Sequence, residues 1–377
     1  MRHRTIRSLP TPALLLDADV LERNVERMAR KVAQLGARLR PHVKTHKCIE
    51  VGRLQQRHGA RGITVATIAE AQAFARAGFD DITWAVPLPV SRLAEVIRLA
   101  RKVTLRVLVD SEAAERALVT RAARAGLRVH TWLEVDCGYH RSGVNPESAA
   151  NVAFARRIAE DPALEFDGLL THAGHAYHAR TGEERAAIAR QEREVTAAFA
   201  AKLREAGIAV PCVSVGSTPT MAATDSLAGV DEVRPGNYAF YDWMQAAAGV
   251  CGVEDVAVSV LATVISHQKG ADHCIVDAGA LAMSKDQGPG PAELRRGLGP
   301  VYRALTGPGL EDDLALVAVS QEHGFLGGAA GVEGRFAVGE RVRIMPNHSC
   351  LTAAMFDEYW VTRGEDVVDR WTIHRER

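Results

Sequence analysis

The chain has 377 residues, and 46 Lys+Arg balance 46 Asp+Glu to a formal net charge of zero. That neutrality argues against non-specific nucleic-acid binding and a polybasic membrane contact, and no apolar run approaches the roughly 18 residues of a membrane span. The length fits two domains or one large α/β barrel with an appendage, and 47% hydrophobic with 24% charged residues is ordinary globular composition.

Met1-Arg2-His3-Arg4 is basic, but no long apolar region follows before Pro10, so no secretory signal is expected. Ala13–Asp17 reads as a strand preceding a barrel, and Ala18–Leu35 as the helix that leads into it. Eight short apolar, β-branched runs follow, near 38–45, 62–67, 81–86, 105–110, 129–136, 167–173, 212–216 and 232–236. Between them, Ala69–Ala77, Val90–Arg101, Ser111–Ala125, Pro146–Glu160 and Glu183–Ala206 repeat apolar residues at three- and four-residue spacing. Gly78, Gly126 and Gly207 stand just past helical stretches, where left-handed C-caps are expected. Strands alternating with helices eight times mean parallel βαβ units, and eight closes a TIM-type (β/α)8 barrel. Beyond about residue 250, Val256–His267, His273–Ala280, Leu314–Gln321, Arg341–Met345 and Glu358–Val361 are β-rich between Gly/Pro turns, which predicts an all-β domain. Gly324–Gly334 lacks the strand–turn–helix context of a dinucleotide fingerprint and reads as a loop. The expected division is a segment over 1–17 packing with the β domain, a barrel over 18–250 and the C-terminal β domain over 251–377. Six scattered cysteines without C-x-x-C point to reduced thiols and a cytoplasmic location.

Active sites of βα barrels lie at the carboxyl ends of the strands. The first strand ends in Arg40-Pro41-His42-Val43-Lys44-Thr45-His46-Lys47, and strand alternation would put His42, Lys44 and His46 on one side. A lysine facing the barrel mouth is costly to desolvate, which lowers its pKa toward a useful nucleophile or base; the alternative is a solvated basic loop. Glu134–Gly143 ends the fifth strand, where flanking glycines let Arg141 aim back into the mouth to hold an oxyanion or to form a structural salt bridge. Thr171–Tyr177 ends the sixth, and His172 and Tyr177 offer rings to a planar ligand, although such histidines also serve as core residues. Gly216-Ser217-Thr218-Pro219-Thr220 and Arg234-Pro235-Gly236-Asn237-Tyr238 follow strands seven and eight, as a phosphate cradle or as ordinary turns. In Pro346-Asn347-His348-Ser349-Cys350, an extended chain would point His348 and Cys350 the same way, a nitrogen and sulfur pair suited to Zn²⁺; the competing reading is a plain buried cysteine.

Together these residues resemble the fold-type III pyridoxal 5′-phosphate (PLP) enzymes, and within them the D-serine dehydratase / D-threonine aldolase family. The motifs that carry the resemblance are T-P-A-L-L-L-D at 11–17, P-H-V-K-T-H-K at 41–47, E-V-D-C-G-Y-H-R-S-G-V at 134–144, H-A-G-H-A-Y at 172–177, V-R-P-G-N-Y at 233–238 and P-N-H-S-C at 346–350. The resemblance implies that Lys44 bonds the cofactor and acts as the base at Cα, with Arg141 near the cofactor's phenolic oxygen. It implies His172 and Tyr177 at the ring, and Ser217, Thr218, Gly236, Asn237 and Tyr238 as phosphate and ring contacts. His348 and Cys350 match a catalytic metal pair, for Zn²⁺ first and Mn²⁺ or Mg²⁺ as alternatives. Cys350 stands where the aldolase branch more often has Asp. The expected reaction is therefore D-serine dehydratase-like β-elimination on a D-3-hydroxy amino acid, giving a 2-keto acid and ammonia. The alternative is an aldolase giving glycine and an aldehyde. Behind it stand a non-catalytic PLP carrier and a racemase, which would need a second base that the sequence does not single out. A homodimer is also implied, because the β domain of such enzymes usually completes the partner's site. Loops such as Ser284–Gly297 are candidates for setting specificity.

Overall fold

A computed structural model of the chain describes residues 4–288 and 292–375. The first three residues of the basic N-terminal run, and 289–291 of the loop at 284–297, lie outside the described residues.

The eight expected barrel strands are β2 (Arg38–Leu39), β3 (Ile63–Val65), β4 (Asp81–Pro87), β5 (Thr104–Val109), β6 (Val129–Val135), β7 (Leu164–Thr171), β8 (Cys212–Val215) and β9 (Glu232–Val233), after β1 (Ala13–Asp17). They form one parallel sheet in the order β2-β9-β8-β7-β6-β5-β4-β3. A parallel bridge between His42 and Thr64 joins the two end strands and closes the cylinder. The connecting helices begin on side-chain caps: Thr67 accepts from the Glu70 amide, Ser111 from Ala114 and Thr181 from Glu184. Gly126 ends one of them in the left-handed region, as its position predicts.

The first strand is shorter than expected. It stops at Leu39, and Val43–Thr45 forms a 3₁₀ turn capped by the His42 ring, whose Nδ1 accepts from the Lys44 amide at 3.3 Å.

Closure of the barrel depends on close backbone approach at Gly168, in β7. Its φ is +127°, and a Cβ there would lie 1.9 Å from the Cys212 carbonyl oxygen in β8. Gly168→Ala should therefore cost about 3 kcal/mol or more, a loss that urea denaturation would read.

The second sheet holds nine strands. They are β1, β10 (Val258–Ser266), β11 (His273–Val276), β12 (Pro300–Tyr302), β13 (Leu310–Val319), β14 (Gly324–Gly328), β15 (Arg341–Ile344), β16 (Glu358–Arg363) and β17 (Asp366–Thr372). An additional β10–β11 pairing bends β10, β11, β14, β13, β12 and β15 into an antiparallel ring. β1 pairs with β10 and β16, so the N-terminal strand belongs to this sheet.

The loop expected at Gly324–Gly334 begins instead as β14. The glycines serve close strand contact: a Cβ at Gly324 would sit 2.4 Å from the Ala278 carbonyl oxygen, and one at Gly328 2.7 Å from that of Asp313. All six cysteines are free thiols. Among the described residues, no helix is long and apolar enough to cross a membrane.

Candidate active site

The carboxyl ends of the barrel strands meet the His348 segment of the second sheet around a cavity of about 230 Å³. Lys44, Arg141, His172, Tyr177, Ser217, Gly236, Asn237, His348 and Cys350 all line it. Thr218 and Tyr238 do not. The Asn237–Ala239 turn swings the Tyr238 ring into the core, where its hydroxyl accepts from Gln55 at 3.1 Å. Thr218 Oγ1 accepts from the Tyr238 amide at 3.0 Å, so its hydroxyl holds the cradle together from behind.

The expected alternation at the first strand also fails. His42 and Lys44 face the cavity, but the 3₁₀ turn sends His46 into the core, edge-on to Phe74 and Phe240. Its Nδ1 accepts from the Cys48 amide at 3.1 Å, and burial drives its pKa down to about 3.

Lys44 is exposed to the cavity, among the side chains that line it. Its Nζ has no hydrogen-bond or ion-pair partner among the described residues. Burial pulls its pKa below the ordinary lysine range, against the attraction of Cys350. The turn that carries it is tied to the second sheet: Tyr359 donates to the His46 carbonyl at 2.8 Å, and the His374 amide to that of Lys47 at 2.7 Å.

Opposite Lys44, the Arg141 guanidinium sits 5.4 Å over the Tyr139 ring, and His172 meets the same ring edge-on. Glu134, buried behind Arg141, accepts from Ser142 at 2.9 Å while its other oxygen is unpartnered. Burial raises its pKa. Arg234 reaches the wall by donating to Ser214 Oγ at 2.5 Å, to the Val215 carbonyl at 3.3 Å and to the Thr171 carbonyl. Ser214 in turn donates to Glu232 at 2.9 Å, and Glu232 pairs with Arg40 at 2.7 Å, so a buried ionic chain supports this side.

Gly216 (φ +95°), the Ser217 capping box and Gly236 form a concave backbone edge. A Cβ at Gly236 would lie 2.7 Å from the His42 carbonyl oxygen, so the chain can pass there only as glycine. The amides of Gly236 and Asn237 make no protein hydrogen bond among the described residues, which leaves donors for an anionic group.

On the remaining wall, His348 immediately precedes the short helix Ser349–Ala353, which brings Cys350 beside it rather than along an extended chain. His348 Nδ1 lies 2.6 Å from Asp286 Oδ2, and Thr45 Oγ1 lies 3.2 Å from Cys350 Sγ. Burial opposes both charges, but the attraction between the two groups and the Asp286 bond win for the imidazole, holding its pKa up at about 11. Burial likewise raises the Cys350 thiol, and the His348 charge outweighs it, so the thiol falls below its usual range. Asp242 braces this wall by accepting from the Ser349 amide at 3.1 Å and from Asn237 at 2.8 Å. Among the described residues no three His, Cys, Asp or Glu side chains converge as a complete metal cage. The donor set is an open pair, which suits a catalytic ion whose other positions go to water or substrate.

Gln245, Asp242 and His178 also line the cavity without having been singled out in the sequence, and Asp286 supports it from outside. His178 directly follows the 172–177 motif and Asp242 lies four residues beyond the 233–238 motif, but nothing in their spacing marks them. Gln245 and Asp286 are brought in by the fold.

The alanine racemase N-terminal domain model matches residues 16–242, and a serine dehydratase domain model matches residues 257–362. The chain is 41% identical to D-threo-3-hydroxyaspartate dehydratase of Delftia sp. (strain HT23) over 375 residues, covering 97% of this chain and 98% of that protein. It is 34% identical to D-serine dehydratase of Dictyostelium discoideum, covering 96% of each, and 33% identical to D-threonine aldolase of Arthrobacter sp., covering 96% and 92%. The solved structure of the Delftia enzyme superposes with a TM-score of 0.93 at 40% identity over 98% of each chain. A cysteine-to-alanine variant of that enzyme is described in a metal-free form. With both halves matched and relatives above 30% identity along nearly its whole length, the chain belongs to the D-serine dehydratase / D-threonine aldolase family of alanine racemase-like PLP enzymes.

Proposed function

We propose that this protein is a PLP- and metal-dependent lyase that dehydrates D-3-hydroxy amino acids to a 2-keto acid and ammonia. The observation that carries the reading is the unpartnered Lys44 amine sharing one cavity with the His348–Cys350 pair. The residues fit both groups. Lys44 would bond the cofactor, Arg141 would hold its phenolic oxygen, and Ser217 with the Gly236 and Asn237 amides would hold its phosphate. When bound, PLP supplies an electron sink for the carbanion at Cα, and a metal on His348 and Cys350 supplies Lewis acidity at the β-oxygen.

The chain's own groups do the rest. Lys44, kept weakly basic by burial, takes the Cα proton. The amino acid would lie in the cavity between Lys44 and the His348 side. Loss of the Cα proton and the β-hydroxyl removes one water. Addition of water to the released enamine then yields the keto acid and ammonia.

Thiolate–imidazole donors favour Zn²⁺, with Mn²⁺ or Mg²⁺ as alternatives. The runner-up reaction, retro-aldol cleavage to glycine and an aldehyde, uses the same groups, and one assay separates the two. Incubation with a panel of D-3-hydroxy amino acids, with and without chelator, should give keto acid and ammonia only in the metal-loaded samples. Glycine plus aldehyde as the main products would replace the dehydratase reading with the aldolase one.

The working unit is proposed to be a homodimer. The resemblance to enzymes whose β domain completes the partner's site supports this reading. Light scattering should return twice the 40.7 kDa chain mass, and a fully active monomer would overturn the assignment.

A further inference from the structure

We propose that Asp286 is a positioning residue for the metal site: it grips His348 through Nδ1 and leaves Nε2 as the nitrogen presented to a divalent cation beside Cys350. The inference rests on the reading that His348 and Cys350 hold a metal. Asp286 lies 62 residues from His348 in sequence, yet its Oδ2 is 2.6 Å from Nδ1. An ionised carboxylate only accepts hydrogen bonds, so a proton sits on Nδ1 and the lone pair for a metal belongs to Nε2.

The carboxylate is itself held. Asp286 Oδ1 accepts from the Gly288 amide at 2.9 Å, and the Asp286 amide donates to Ser284 Oγ at 2.9 Å. Ser284 adopts a left-handed backbone, at φ +67°, to make that turn. A bond from Thr352 Oγ1 to the Met283 carbonyl, at 3.0 Å, fixes the Ser284–Gly288 turn against the helix that follows His348. A surface ion pair would need none of this scaffolding. Carboxylates behind ligating histidines orient the ring and raise its basicity, and their loss typically weakens metal binding about 10–100-fold.

The test uses the full-length, PLP-loaded protein and Zn²⁺ itself, titrated against a chromophoric chelator. Asp286→Ala should weaken Zn²⁺ binding by about 10–100-fold while the cofactor's visible band stays unchanged. Asp286→Asn, which can still accept from Nδ1, should lose less. Added Zn²⁺ should restore most of kcat in Asp286→Ala, because the defect is in affinity. Unchanged Zn²⁺ affinity in Asp286→Ala, with the native protein binding measurably, would overturn the positioning role alone. A native protein that binds no Zn²⁺, Mn²⁺ or Mg²⁺ would overturn the metal reading and this proposal together. Should Asp286→Ala fail to fold, Asp286→Asn decides: weaker binding supports the role, and unchanged binding overturns it.

Discussion

Lys44→Ala is expected to abolish turnover, by on the order of 10³-fold or more, because it removes the proton acceptor at Cα together with the covalent anchor of the cofactor. Purified native protein should be yellow, and borohydride should bleach it and leave the added mass on Lys44. The variant should bind PLP only reversibly, through the Ser217 and Gly236–Asn237 edge and Arg141, and should lose its colour on dialysis. Three features set Lys44 apart from neighbouring amines. It faces the cavity, it has no partner among the described residues, and burial holds its pKa below the usual lysine range. Lys47, three residues on, is instead paired with Glu70 in a left-handed backbone position, so its amine is already committed. A reduced adduct on Lys47 would overturn the assignment, as would full activity in the Lys44 variant.

The barrel was legible because each strand is a short apolar run buried among amphipathic helices with recognisable caps. Patterns of that kind depend on local periodicity, which survives in a single sequence. What failed were features decided by backbone detail or by distant contact. The alternation assumed for His42, Lys44 and His46 breaks because Val43–Thr45 turns as a 3₁₀ segment, which divides the three residues between cavity and core. Tyr238 sits in a motif beside the cavity, yet the same kind of tight turn points its ring away. β14 was invisible to a β-propensity argument, since its glycines are chosen for close strand approach rather than for strand preference. Asp286 and Asp242 carry no motif at all. Their roles follow from hydrogen bonds across 62 and 107 residues, to His348 and Ser349, that no periodicity encodes. The motif-borne residues were readable because chemistry at a barrel mouth comes from strand ends, and strand ends are what periodicity locates.

Cys350→Ala should abolish dehydration while leaving the bound cofactor's spectrum largely intact, and chelation of the native enzyme should do the same. Lewis-acid stabilisation of a departing hydroxide is worth several kcal/mol, and each ~1.4 kcal/mol is tenfold in rate, so the loss should be about a hundredfold or more. Exchange of the Cα proton with solvent deuterium, followed by NMR, should persist, because Lys44 still takes that proton without help at the β-carbon. The two activities therefore part company, which loss of folding or of PLP would not produce. A cysteine that only packs predicts something else. The side chain is small, so truncation would cost on the order of 1 kcal/mol of stability and little activity per folded molecule. The two side chains act on each other: Cys350 helps to raise the pKa of the His348 imidazole, and the His348 charge lowers the Cys350 thiol below its usual range. Removing the sulfur takes away one of the groups that raise the half-buried imidazole and leaves Asp286 as its near partner, so the variant's ring should shed its proton more readily than in the native protein. Undiminished dehydration in metal-stripped native enzyme would end the metal reading while leaving the role of Lys44 standing. Cys350→Asp is the companion test: an oxygen donor keeps a metal ligand in place, and a shift of products toward glycine and an aldehyde would show that this one side chain selects between the two lyase reactions.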